Sequence, residues 1–174
     1  GVCPKSKRLD LAIDIFENLW EKDNRYKLYI KGKHPKEYPW LLRKEEEKIY
    51  YENIFKKIDK SLWKDNVIFD GFGDDLDEWF RKIGYILSTS DFEGSHVSIA
   101  EGIASGSVPI IFNWKGSDTI YQQQNICNSV KEATDLINKY NHMIESKELK
   151  EYSKINFDIN KILDEIEGLI KYDN

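Results

Sequence analysis

Ser88 to Ile111 reads STSDFEGSHVSIAEGIASGSVPII. The run just ahead of it, Tyr85-Ile86-Leu87, is aromatic and β-branched, as a short strand should be. His96 to Ser105 changes to helical spacing, with Val97, Ala100 and Ala104 on one side. Val108 to Phe112 (VPIIF) returns to an unbroken apolar run. Strand, polar loop, helix and strand in this order form a parallel unit, because a parallel partner needs a helical crossover. Ala100, Ala104 and Gly106 are small, which lets the helix lie close to its sheet.

The alternation continues on both sides of this unit. Leu9, Ala12, Ile13, Phe16, Leu19 and Trp20 make the apolar stripe of an amphipathic helix. Tyr26 to Ile30 is a strand closed by Gly32. Pro39 suits the first turn of a helix, where its missing N–H costs nothing. Trp40 to about Lys60 reads as one long charged helix with a thin stripe of Leu42, Ile49, Phe55 and Ile58, its charges a solvated face. Val67 to Phe69 is a strand ending in Asp70-Gly71-Phe72-Gly73, and Asp74 to Lys82 a short helix. Ser129 and Glu132 fit a capping box opening a helix through Val130, Ala133, Ile137, Tyr140 and Ile144. Asp158 caps a last helix with Ile159, Ile162, Leu163, Ile166, Leu169 and Ile170 on one face. The expected fold is α/β: a Rossmann-like three-layer domain with a parallel sheet.

The chain has 174 residues, 40% apolar and 33% charged, which sets one compact domain over residues 1–174. Its net charge of −5 argues against a nucleic-acid binder, which needs a basic surface. No apolar run approaches the ~20 residues of a membrane span, and no signal peptide is visible. Cys3 and Cys127 read as free thiols of a reducing compartment, so a cytoplasmic protein is expected. His34, His96 and His142 are scattered and neither cysteine sits in a CxxC pair, so no metal site is expected. Gly1-Val2-Cys3 looks like the tail of a strand, as if the chain were the C-terminal portion of a longer enzyme.

Ligands of open α/β sheets bind beyond the C-terminal strand ends. Three loops qualify: Cys3 to Arg8, Asp70 to Asp75, and Ser88 to Ser98. Each leads into a helix, whose N-terminus favours anions. Asp70-Gly71-Phe72-Gly73 has the first part of a dinucleotide fingerprint, but Leu76 replaces its third glycine and Asp74 and Asp75 would face the phosphates, so a tight turn with an acidic helix start is the better reading. In the third loop Glu93 precedes the helix and Glu101 follows eight positions later. Taken alone, Ser98-Ile99-Ala100-Glu101 is a capping-box match that gives Glu101 a structural task. Glu93 would be an ordinary loop carboxylate, Lys7 a surface lysine and His96 a partner of the backbone. Trp114-Lys115-Gly116 is either a turn or a flap over the site.

The combined string resembles the E-x7-E signature of group 1 (family 4-like) retaining glycosyltransferases of the two-domain GT-B fold. Glu93 matches the first glutamate, Glu101 the second, and Ala104, Gly106 and Pro109 the helix end and following strand. Cys3 to Asp10 (CPKSKRLD) looks like the family's first phosphate loop, with Lys7 at its lysine. Tyr26 to Gly32 and Val67 to Phe72 correspond to its next two strands. The resemblance implies a C-terminal, donor-binding domain whose N-terminal acceptor-binding domain is absent from this chain. It implies a nucleotide-diphosphate sugar as substrate, no cofactor, and metal-independent transfer with retention to a glycan, lipid or other acceptor. Peripheral membrane association of a parent protein is compatible with it, but Lys5, Lys7 and Arg8 are too few to argue it.

Roles follow from the resemblance. Lys7 would meet the diphosphate, together with N–H groups of Val97 and Ser98 at the helix start. Glu93 would contact the sugar and steady positive character at its anomeric carbon. Glu101 would accept from the ribose hydroxyls, which a carboxylate suits because it only accepts. Ser95 and His96 would line the sugar site, Gly94 would contact the donor, and Gly71 and Phe72 would border the base. Val2 stands where the family often has an arginine, and Arg8 is the candidate to compensate. That departure keeps open a degenerate, non-catalytic nucleotide-sugar-binding module, and the scaffold alone admits an epimerase or phosphorylase.

Overall fold

The computed structural model describes residues 1–94, 96–140 and 142–172, with the backbone alone for Leu42, 142–146 and 171–172. Helix α1 covers Leu9–Trp20, buries Leu9, Ile13, Ile15, Phe16 and Leu19, and leads to strand β1, Leu28–Ile30. Each such apolar side chain contributes about 1.5–3 kcal/mol when withdrawn from water. Next come α2 (Pro39–Leu42), with Pro39 in its first turn, and α3 (Glu45–Lys60). Strand β2 (Val67–Phe69), α4 (Leu76–Phe80) and β3 (Tyr85–Ser88) follow. Then come α5 (Val97–Ser105), β4 (Val108–Phe112), α6 (Ser117–Ile120) and β5 (Ile126–Cys127). Helices α7 (Val130–Lys139), α8 (His142–Asn156) and α9 (Ile159–Tyr172) complete the chain.

The strands are all parallel but form two ladders, β1-β2 and β3-β4-β5. Helix α1 meets α7 and shares a core with α3; α5 meets α4 and α8. Strand β4 touches α5, α7 and α8, and four of its five residues are buried, so both of its sides are covered. This is the α/β, Rossmann-like three-layer arrangement expected from the alternation.

Several expectations change. The long helix from Trp40 is two helices, broken at Arg43-Lys44, where Lys44 turns extended ahead of Glu45. The buried face of α3 is Glu47, Tyr51, Ile54 and Ile58, whereas Ile49 is half-exposed. The shift comes from the tyrosine: its ring buries and its hydroxyl donates to the Val2 carbonyl (2.7 Å). On α5 the buried face is Ile99, Gly102 and Ile103, and Val97 lies in solvent. Helix α7 stops at Lys139, because Tyr140 turns extended; its ring hydroxyl reaches Asn125 (2.6 Å). The Ile144 side chain lies outside those described. The capping box at Ser129 is half formed: Ser129 caps Glu132 N–H, while Glu132 accepts from Asn128 N–H (2.9 Å) instead. Asp158 caps α9 through the Asn160 N–H (2.8 Å). Gly1-Val2-Cys3 forms no ladder with either sheet. Both cysteines are free.

Candidate functional site

The first and third loops are stitched together at the ends of the strands. Thr89 Oγ1 donates to the Lys7 carbonyl (2.8 Å), and Asp91 N–H donates to the Ser6 carbonyl (2.8 Å). Arg8, left-handed at φ 51°, is clamped between Asp10 (2.8 Å) and Asp91 (3.0 Å). A left-handed non-glycine backbone costs of order 1 kcal/mol, and the two carboxylates hold it there. The turn consequently presents Lys7 to the third loop. Lys7 Nζ meets Glu93 Oε1 at 2.6 Å although 86 positions separate them. Ser90 Oγ donates to the same oxygen (2.6 Å), and His96 Nδ1 stands 3.6 Å from it. The His96 ring is held by Ser88 Oγ at 2.9 Å, and Ser88 is fully buried.

Lys7, Thr89, Ser90 and His96 border a cleft of about 650 Å³. Lys7, Ser90, His96, Ser98 and Glu101 line it, as do Gly32, Phe72 and Gly73. Phe72 is 76% exposed, a free aromatic face at the rim. Lys7, His96, Ser98, Glu101 and Phe72 are therefore brought together. Glu93 stands behind them, with 9% of its side chain exposed, touching the cleft through Lys7, Ser90 and His96. Gly94 and Val97 lie outside the cleft wall, and Ser95 lies outside the described residues. Arg8 is committed to its carboxylates and does not line the cleft.

The structural reading of Glu101 fails here. Helix α5 starts at Val97 with His96 as its N-cap, so Ser98 lies inside the helix and, among the described residues, no side chain caps the end. Glu101, exposed on the cleft side of α5, makes no capping bond. The uncapped start leaves N–H groups aimed outward, where an anion is favoured. The second loop is a structural turn: Asp70 accepts from Trp79 Nε1 (2.5 Å) and Asp75 pairs with Lys31 (2.6 Å). Trp114 is buried and Gly116 is left-handed at φ 97°, so that segment is a turn and not a flap. Sequence reasoning missed Ser88, Thr89 and Ser90 as positioning groups. Their signal was three hydroxyls in a row at the end of an apolar strand.

Burial works to raise the Glu93 carboxyl, but the hydrogen bonds from Lys7 and Ser90 outweigh it and hold it below its ordinary value of 4.5. Burial pushes His96 below 6.5, with the Lys7 charge adding to it, so the ring is neutral at pH 7. Both folded values lie below the unfolded ones, so the unfolded chain takes up these protons first. Stability is expected to fall as pH drops below about 6.5, through His96, and again below about 4.5, through Glu93. Carbon-detected NMR titration of Glu93 checks this: its midpoint should lie below 4.5 and rise in Ser90→Ala.

Among the described residues no group of three or more histidine, cysteine or acidic side chains is arranged to hold a metal ion, and no helix is long and apolar enough to cross a membrane.

The fold and site define a Rossmann-like α/β domain of the kind found in GT-B glycosyltransferases. The chain belongs to the family described as glycosyl transferases group 1, whose model matches residues 1–156. It is similar to a point mutant of Staphylococcus aureus TarM solved with fondaparinux, α-GlcNAc-glycerol and UDP: 23% identity, TM-score 0.72, 96% of this chain and 33% of that one. It is similar to the pneumococcal O-GlcNAc transferase GtfA solved with UDP and GlcNAc, at 16% identity and TM-score 0.69, covering 97% of this chain and 34% of that one. Anabaena Alr3699/HepE with UDP matches at 14% identity and TM-score 0.66, covering 92% of this chain and 53% of that one. The chain thus spans about a third of the length of TarM and GtfA. No curated protein matches it.

Proposed function

We propose that this chain is the C-terminal, nucleotide-sugar-binding domain of a metal-independent retaining glycosyltransferase of the family 4 type. The observation that carries the reading is the convergence of Lys7, His96, Ser98 and Glu101 on one cleft, with Lys7 bonded to Glu93 behind its wall. A lysine ammonium has three donors. One is spent on Glu93, and two remain for a diphosphate. The uncapped start of α5 supplies backbone N–H groups of Val97 and Ser98 to the same phosphates. Together these groups would stabilise the charge that develops as the sugar leaves, and preorganised donors of this kind are each worth about 3–4 kcal/mol in rate.

Lys7, Ser90 and His96 all approach one oxygen of Glu93, which leaves Oε2 as the oxygen for a sugar hydroxyl. Neutral His96 would border the sugar. Glu101 would take the two ribose hydroxyls, and Phe72 would cover the base. Titrating UDP into the chain by calorimetry tests the assignment. Glu101→Ala is expected to weaken UDP about tenfold, which corresponds to roughly 1.4 kcal/mol, with the melting temperature unchanged. Unaltered affinity in a folded variant would remove Glu101 from the ribose. Magnesium is expected to leave the affinity unchanged.

The reaction would need an N-terminal acceptor-binding domain to form the other wall. Helix α9 fits this view, for Ile159, Leu163, Leu169 and Ile170 are half-exposed or more. Such a contiguous apolar face is what a covering partner would bury. The engagement of Arg8 favours a second reading, a module that binds the nucleotide sugar without turning it over. Hydrolysis or transfer from labelled UDP-sugars by a protein carrying both domains separates the two.

A further inference from the structure

Three hydroxyls stand in a row where β3 runs into the third loop, and each has a different partner. Thr89 donates to the Lys7 carbonyl and Ser90 to Glu93 Oε1. Ser88 Oγ meets His96 Nδ1 at 2.9 Å and, among the described residues, no other polar group. Ser88 is wholly withdrawn from water. A buried hydroxyl must place its proton on an acceptor or bear the cost of having lost its water.

The contact admits two forms of a neutral imidazole. With Nδ1 bare, the ring accepts the Ser88 O–H and both groups are satisfied. With the proton on Nδ1, the ring donates to Ser88 Oγ, and the serine proton has no acceptor among the described residues. Glu93 does not rescue this second form. Its Oε1 stands 3.6 Å from Nδ1, beyond hydrogen-bond reach. That oxygen already accepts from Lys7 Nζ and Ser90 Oγ, which use both of its lone pairs. Burial keeps the ring neutral at pH 7, and a neutral ring with a bare Nδ1 carries its proton on Nε2.

Nε2 is the end of the ring left for a ligand. No described residue bonds it. The buried side-chain nitrogens and oxygens without a partner among the described residues are the indole nitrogens of Trp20 and Trp114, so Nε2 is not shut away. His96 lines the cleft together with Lys7 and Ser90.

We infer that Ser88 is a positioning residue: it fixes the tautomer of His96, which then offers an Nε2–H donor to the terminal phosphate of a bound nucleoside diphosphate. A phosphate oxygen only accepts, so a bare Nε2 would set lone pair against lone pair. A donor fixed before binding needs no rearrangement as charge gathers on the departing phosphate. Lys7 shares the Glu93 oxygen that His96 approaches, so an ammonium and a neutral donor meet the anion together. The same tautomer bars His96 from serving as the base for an acceptor hydroxyl, because Nε2 already holds its proton. The tautomer stands on contacts within this chain; the phosphate contact rests on the function proposed above.

Long-range proton–nitrogen NMR correlation of the histidine-labelled chain, well above pH 6.5, reads the tautomer directly. The His96 signals are those lost in His96→Gln. They should show a protonated Nε2 and a bare Nδ1; a predominant Nδ1–H form would overturn the inference. In Ser88→Ala the Nδ1–H fraction should rise about tenfold, and Ser88→Thr, which keeps the hydroxyl, should restore the parent pattern. A folded Ser88→Ala with a lower melting temperature and an unchanged tautomer would make Ser88 merely structural and overturn the inference. If Ser88→Ala does not fold, Ser88→Cys carries the same test, since a thiol is a weaker donor and should move the tautomer the same way. UDP should shift the Nε2–H proton downfield, and uridine, which lacks the phosphates, should not. UDP that moves the Lys7 and Glu101 amides but not this proton would overturn the donor role. UDP that fails to bind, with the tautomer as stated, would count against the proposed function alone.

Discussion

Lys7→Ala is expected to bind UDP about thirtyfold more weakly than the parent chain, a loss of roughly 2 kcal/mol, typical of a charge-assisted hydrogen bond. The substitution removes the one ammonium that the first loop presents to the cleft. It also leaves Glu93, 9% exposed, with Ser90 as its remaining strong partner. A partly buried carboxylate without its cation should shift toward the protonated form, so the Glu93 midpoint rises in the same variant. Lys7→Arg keeps the charge and should recover part of the affinity. Lys7→Met keeps the stem without the charge and should not. If all three bind UDP like the parent, Lys7 serves only to tie the loops together.

The second large effect concerns stability. Gly102→Val places a Cβ 2.8 Å from Ile86 Cδ1 and 2.9 Å from its Cγ2, closer than side chains approach. The branched side chain would force α5 away from β3. Overpacking of this kind costs about 3 kcal/mol, and at this chain length that lowers the melting temperature by roughly 9 °C. Ser98 and Glu101 ride on α5, so UDP binding should weaken with it. Coupling to Ile86→Ala in a double-mutant cycle distinguishes the contact from a general loss of helix stability, because the paired variant should recover part of the loss.

Gly102 also shows where the sequence was hard to read. The small residues Ala100, Ala104 and Gly106 suggest a close approach of helix and sheet, and the approach is there. The residue that makes it is Gly102, between Ile99 and Ile103. Two isoleucines bury more apolar surface than Val97 and two alanines, so they set the rotation of the helix. The alternation of strands and helices was legible throughout, since period-2 and period-3.6 patterns follow local chemistry. The break at Arg43-Lys44 and the end of α7 at Lys139 were not. The end of α7 goes with the contact of Tyr140 and Asn125 across the fold, and the break with the extended backbone of Lys44, which no periodicity marks.

Within the candidate site, the E-x7-E spacing was visible because it lies in one loop and one helix. The pairing of Lys7 with Glu93 could be anticipated only through the family resemblance, since it joins the start of the chain to its middle. The division of the sheet into two ladders was not legible at all. Strand pairing is a tertiary matter, and short strands of three or four residues carry little information about their neighbours.

Amide NMR titration of the chain with UDP tests the central claim most directly. The account predicts that the first resonances to shift are those of Lys7, Ser90, His96, Ser98 and Glu101, with Val97 moving at the start of α5. Saturating UDP that leaves these amides in place, or that shifts a separate surface, would contradict it.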